Sequence, residues 1–154
     1  MPIFEPNLDQ MMKKVNGKNL EFTDDLSVAL DHPDVVFLAL PTPTKTEGEN
    51  AGKAYDLFAT ETAIRNIVKF YNRNADKLSN KMILVEKSTV PIGTSKMIET
   101  LITQVSIEEN KGKYVVASNP EFLAEGSAIN DLMTPDRVIL GEREGDNIQN
   151  LVQL

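Results

Sequence analysis

The chain has 154 residues, 41% of them hydrophobic and 25% charged, which is the make-up of one ordinary globular domain long enough to bury a core. Its formal net charge of -7 repels a phosphate backbone, and Lys and Arg nowhere gather into a stripe, so nucleic acid is excluded as a partner. Without cysteine it forms neither a disulfide nor a thiolate metal site, and without a signal-like start or a run of roughly 18 apolar residues it is expected to be cytoplasmic, with no membrane contact.

Short apolar runs rich in β-branched residues predict strands at Asn19-Thr23, Asp34-Leu40, Met82-Lys87, Tyr114-Ser118 and Arg137-Gly141. Between them, Leu57, Ile64, Ile67, Val68 and Tyr71 recur at helical spacing, as do Ile98, Leu101, Ile102 and Val105. Asp24 is the expected cap of a short helix through Leu26, Ala29 and Leu30, which His32-Pro33 stops. Strands alternating with helices imply an α/β fold with a mostly parallel sheet covered on both sides. The segment Pro41-Gly52, rich in turn formers, leaves a strand directly. Ser88-Thr89 and Asn119-Pro120-Glu121 do the same, so these polar segments are expected along one sheet edge, where ligands of open parallel sheets bind.

Gly48-Glu49-Asn50-Ala51-Gly52-Lys53-Ala54 is not a triphosphate loop: it has one residue too few between its glycines and Ala where a magnesium-binding hydroxyl belongs. No G-x-G-x-x-G occurs. Glu121 and Glu125 stand four apart after Asn119-Pro120, a good entry to a helical turn, which would put both carboxylates on one face. A carboxylate crowded by another, or partly desolvated, holds its proton more tightly and suits acid/base work. Two ordinary acids in the first turn of a surface helix would look the same. Thr89 can reach a ligand from a strand end, or simply cap a helix whose first turn holds Pro91. Lys87 adds a positive charge at that edge but reads as solvated, and His32 has no second ligand nearby, so no metal site is expected.

Taken together, Pro2-Ile3-Phe4-Glu5-Pro6-Asn7-Leu8, Gly17-Leu20, Thr42-Thr46, Glu86-Pro91, Asn119-Gly126 and Pro135-Val138 resemble, in this order, the nucleotide-sugar dehydrogenase family and its eukaryotic UDP-glucose dehydrogenase branch. The resemblance implies a Rossmann-like NAD-binding domain in an enzyme that oxidises the C6 alcohol of UDP-glucose to a carboxylate. That oxidation takes two steps, consumes two NAD and passes through a thioester. Carried over by position, Leu40, Pro41, Thr42, Pro43, Thr44, Ser88, Thr89, Val90 and Glu125 would contact NAD. Glu121, Phe122, Leu123, Ala124 and Glu125 would line the UDP-glucose site. Glu121 would be the acid/base residue, with Thr89 placing a water. Pro41 replaces the family's usual Asn, removing a backbone donor and an amide beside the cofactor.

The resemblance also leaves the family's glycine-rich first βαβ unit, central dimer helix and C-terminal UDP-binding domain without a counterpart in residues 1–154. The chain is therefore expected to be a partial NAD-binding domain from an incomplete or truncated copy of a homo-oligomeric enzyme, and inactive alone. In the family's strand order the missing first strand lies mid-sheet, so Val35-Leu40 would become an apolar edge. Two other readings stay open. The chain could be a non-catalytic remnant that binds or regulates an intact subunit, or it could belong to a GDP-mannose or UDP-N-acetylmannosamine dehydrogenase.

Overall fold

A computed structural model describes residues 4–78 and 81–153. Three strands, β1 (Val35–Leu38), β2 (Met82–Glu86) and β3 (Tyr114–Ser118), form a parallel sheet in the order β1-β2-β3. Helices α3 (Phe58–Arg73) and α4 (Thr94–Val105) make the two crossovers. Each connection steps sideways in the same direction, and parallel crossovers keep one hand, so both helices land on the same face. There Leu38, Met82, Leu84 and Val116 pack with Ile64, Val68, Tyr71, Ile98 and Ile102. The opposite face, Ile83, Val85, Val115 and Ala117, is covered by Ile148 and Leu151 around the short helix α6 (Gln149–Val152).

The expected α/β Rossmann-like sheet is therefore present, with three of the five expected strands. Every residue of β2 is buried, whereas β1 has one unpaired edge among the described residues and carries the exposed Phe37. Asn19-Thr23 is not a strand. Gly17 turns left-handed (φ 71°) after α1 (Leu8–Val15), and the N–H groups of Lys18, Asn19 and Leu20 all return to the Val15 carbonyl. Arg137-Gly141 is not one either. Only Gly141 reaches β3, exchanging bonds with Ser118 at 2.8 and 2.9 Å, because a Cβ at Gly141 would lie 2.3 Å from the Ser118 hydroxyl oxygen.

The helices differ from expectation at their starts. Helix α2 (Leu26–Ala29) is capped by Asp25 rather than Asp24, its carboxylate accepting from Ser27 N–H at 2.8 Å. The stop falls at Leu30, before His32-Pro33, and His32 itself is left-handed (φ 57°). Helix α4 begins at Thr94 behind a left-handed Gly93 (φ 92°), so Thr89 is no cap and Pro91 precedes the helix. A turn takes up the difference, with Thr94 N–H and its hydroxyl both donating to the Pro91 carbonyl.

Two polar links cross the core. Tyr71, fully buried, donates its hydroxyl to the Leu30 carbonyl at 2.8 Å, and the buried Asn110 donates its amide to the Tyr71 carbonyl at 2.9 Å. At the end of β2 stands Glu86, 2% exposed, with Oε2 lacking a hydrogen-bond partner. Burial disfavours its charged form and pushes its pKa from 4.5 up to about 7.

Two outcomes are expected from unfolding experiments. Tyr71→Phe removes a buried hydrogen bond and leaves the Leu30 carbonyl only its bond from His32 N–H, so it should cost about 0.5–1.5 kcal/mol in urea denaturation; an unchanged midpoint would refute the link. For Glu86, the folded chain keeps a proton up to about pH 7 that the unfolded chain releases near 4.5, so stability should fall as pH rises through that interval and level off above it. Glu86→Gln should lack this decline, and parallel pH profiles for variant and wild type would rule the explanation out.

Candidate functional site

The parallel order brings the carboxyl ends of all three strands to one edge, where each chain emerges as irregular backbone. Ladder bonding continues one residue beyond β2 on both sides: Lys87 N–H donates to Leu38 at 3.1 Å, and Asn119 N–H donates to Glu86 at 2.9 Å. Side chains then take over. The Ser88 hydroxyl donates to the Leu40 carbonyl at 2.6 Å, and the Thr42 hydroxyl donates to the Thr89 carbonyl at 3.1 Å. Leu40-Thr42 and Ser88-Thr89 are thereby stitched side by side, as their positions at adjacent strand ends led us to expect. The remainder of the Pro41-Gly52 loop closes on itself, with Asp56 N–H on the Pro43 carbonyl at 2.7 Å and Lys45 N–H on the Ala54 carbonyl at 2.8 Å.

Between β2 and β3, Asn119 acts as a hub. Its Oδ1 accepts from Lys87 Nζ at 3.1 Å, and its Nδ2 donates to the Ile139 carbonyl at 3.0 Å. Lys87 is half-buried and held, not merely solvated. Both residues line a cleft of about 770 Å³ whose wall also includes Glu121, Phe122, Leu123 and Arg137. The Arg137 guanidinium lies 5.5 Å from the centre of the Phe122 ring, a cation-π pair on the cleft wall. Glu121 is half-buried, and its Oε2 is fully enclosed without a hydrogen-bond partner.

Glu121 and Glu125 do not share a helical face, because residues 119–124 are irregular and the next helix, α5, spans Ala128–Met133. Asn119 N–H is still engaged in the ladder with Glu86, and no helical turn follows it before α5. Glu125 stands exposed in a turn, and neither it nor Ala124 lines the cleft. The remaining expected contacts, Leu40, Pro41, Thr42, Pro43, Thr44, Ser88, Thr89 and Val90, gather at the ends of β1 and β2, adjoining the cleft through Lys87.

Those end segments carry no charged side chain. Their hydroxyls and peptide groups suit the neutral parts of a dinucleotide, its carboxamide and sugars, and not a pyrophosphate, which calls for convergent N–H groups or cations. The residues therefore fit one side of such a cofactor. Lys87, Asn119 and Arg137 lie inside the motifs of the resemblance but carried no expected site role, since a lone Lys or Asn at a strand end has no spacing signal. No cluster of metal-ligating side chains, and no helix long and apolar enough to cross a membrane, occurs among the described residues.

Relatives bear on this arrangement. The chain is 47% identical over 154 residues to UDP-glucose 6-dehydrogenase 1 of Glycine max, covering 99% of this chain and 30% of that protein. It is 48% identical over 145 residues to UDP-glucose 6-dehydrogenase 2 of Arabidopsis thaliana, covering 94% and 28%. The chain thus spans less than a third of the length of these relatives. Among solved structures, a GDP-mannose dehydrogenase from Pseudomonas aeruginosa superposes with a TM-score of 0.75 at 29% identity, over 92% of this chain and 31% of that one. A UDP-glucose dehydrogenase from Pyrobaculum islandicum gives 0.71 at 30% identity, over 94% and 31%. The sequence pattern of the NAD binding domain of one oxidoreductase family matches residues 1–154 throughout, and the chain belongs to that family, the UDP-glucose/GDP-mannose dehydrogenases.

Proposed function

We propose that this chain forms the cofactor side of a site that oxidises the C6 alcohol of UDP-glucose with NAD, and that Glu121 is its acid/base group. The observation that carries this reading is Glu121 itself, half-buried on the wall of the cleft at the strand ends, with its Oε2 enclosed and unpartnered. A buried carboxylate oxygen without a donor costs stability, and such breaches of the packing rules concentrate at functional sites. Alcohol oxidation by hydride transfer also releases the hydroxyl proton, which a carboxylate within hydrogen-bond reach can accept. NAD, when bound, supplies the hydride acceptor.

The other residues divide along the same edge. Leu40, Pro41, Thr42, Pro43, Thr44, Ser88, Thr89 and Val90 hold the neutral portions of the cofactor, with Glu125 near them. Phe122, Leu123 and Ala124 bound the sugar nucleotide, and Thr89, exposed at the end of β2, places a water for the second oxidation. UDP-glucose is favoured over GDP-mannose because the plant UDP-glucose enzymes are 47% and 48% identical to this chain, against 29% for the GDP-mannose enzyme. A thioester requires a thiol, and these 154 residues contain none, so that step draws on a residue outside them.

Isotope-labelled chain titrated with NAD should show amide shifts at Leu40, Thr42, Thr44 and residues 88–90, and titrated with UDP-glucose at residues 121–124. Glu121→Gln should weaken UDP-glucose binding roughly tenfold, the usual scale for losing one charged hydrogen bond of about 1.5 kcal/mol or more. Absence of both sets of shifts at millimolar ligand would overturn the reading. With both ligands present, the 154-residue chain alone is expected to form no NADH, because its strand-end segments offer no convergent donors or cations to the pyrophosphate of the cofactor, and measurable turnover would overturn that expectation.

A further inference from the structure

Glu5 is the single buried side chain among residues 4–29. It belongs to neither apolar cluster of the core and lines no part of the cleft. Its carboxylate instead meets backbone more than a hundred residues away. Gly126 N–H donates to Oε2 at 2.9 Å and Ala128 N–H donates to Oε1 at 2.8 Å, so each oxygen has its own donor. The arrangement depends on Gly126, whose left-handed backbone (φ 87°) lets alternate N–H groups converge on one acceptor.

A second carboxylate grips the same turn from within the chain. Asp131 Oδ2 accepts from Ala124 N–H at 3.0 Å and from the Ser127 hydroxyl at 2.9 Å. Upstream, Asn119 is fixed by its three bonds to Glu86, Lys87 and Ile139. Residues 120–123, with no helix or strand of their own, therefore hang between Asn119 and the turn at 124–128. Glu121 lies on that span and Glu125 lies in the turn itself. Such irregular backbone keeps its side chains in place only if both ends are held.

We propose that Glu5 is a positioning residue of the site: its carboxylate locks the turn Ala124-Ala128 and thereby fixes where Glu121 and Glu125 stand. The functional meaning rests on the role proposed for Glu121, whereas the clamp can be tested without any ligand. A simple tether for α1 is the competing role. If Glu5 did no more than that, its loss would free residues 5–15 and leave 121–128 unchanged in the grip of Asp131.

The test compares amide spectra and hydrogen exchange of the 154-residue wild type with Glu5→Gln, which keeps the shape but turns one acceptor into a donor, and with Glu5→Asp, which keeps the charge but falls short by one methylene. Thermal unfolding of each variant shows whether the fold is retained, and with α1 outside the core both should fold. The clamp predicts about tenfold faster exchange at Gly126 and Ala128 in Glu5→Gln, shifts at 121–124, an unchanged β-sheet, and a smaller effect in Glu5→Asp. Changes confined to residues 5–15 would overturn it. UDP-glucose titration separates the two ideas. Binding by wild type that Glu5→Gln leaves intact counts against the positioning role. Loosening of 121–128 in a protein that binds no UDP-glucose supports the clamp and sinks the functional reading.

Discussion

Strand β2 has no exposed residue, and the rest of the molecule is arranged around that condition. A run such as Met82-Ile83-Leu84-Val85 can be enclosed on both faces only if its peptide groups find partners on both edges, which places β1 on one side and β3 on the other. The central strand then delivers Glu86, Lys87, Ser88 and Thr89 into the gap between the two neighbouring strand ends. Each of these residues finds a different environment within a few ångströms. Glu86 is buried with the core, Lys87 is held by Asn119, and Ser88 is bonded to Leu40.

The consequence for the site is that it is assembled from irregular chain held by side chains. No helix presents Glu121. It is carried by a span with Asn119 at one end and two carboxylates, Glu5 and Asp131, at the other. Placement of this kind trades the stiffness of a helix for access, since the backbone of such a span is free to approach a ligand. It also makes the position of the acid/base candidate depend on residues remote from the chemistry.

What could be read beforehand follows from which forces are local. Continuous β-branched runs mark strands enclosed on both faces, so the three sheet strands stood out. The spacing of Ile64, Ile67, Val68 and Tyr71, and of Ile98, Leu101 and Ile102, marked the two helices that cover the sheet. Asn19-Thr23 misled because its short apolar content sits beside a glycine turn that folds the chain back on Val15. Asn119-Pro120 reads as a helix entry that would align Glu121 with Glu125, yet Asn119 is already committed to the ladder of β2 and residues 120–124 stay irregular. Motif order, not spacing, pointed to Glu121, and its place on the cleft wall with one oxygen enclosed is a tertiary fact that no local pattern encodes. The same holds for Lys87, whose partner lies 32 residues away, and for Glu5, whose partners lie 121 and 123 residues away.

Among the described residues β1 keeps a free edge, and that edge has a directional meaning. Its outward peptide groups alternate between donor and acceptor along Val35–Leu38, and a strand laid against them in the same sense would extend the parallel array by one. Such an added strand would turn its carboxyl end to the same edge, and the loop leaving it would open beside the threonines and Ser88. The sheet is thus polarised like a comb with all its teeth ending on one side, and whatever completes it adds its own loop to the crevice where the cofactor is proposed to lie.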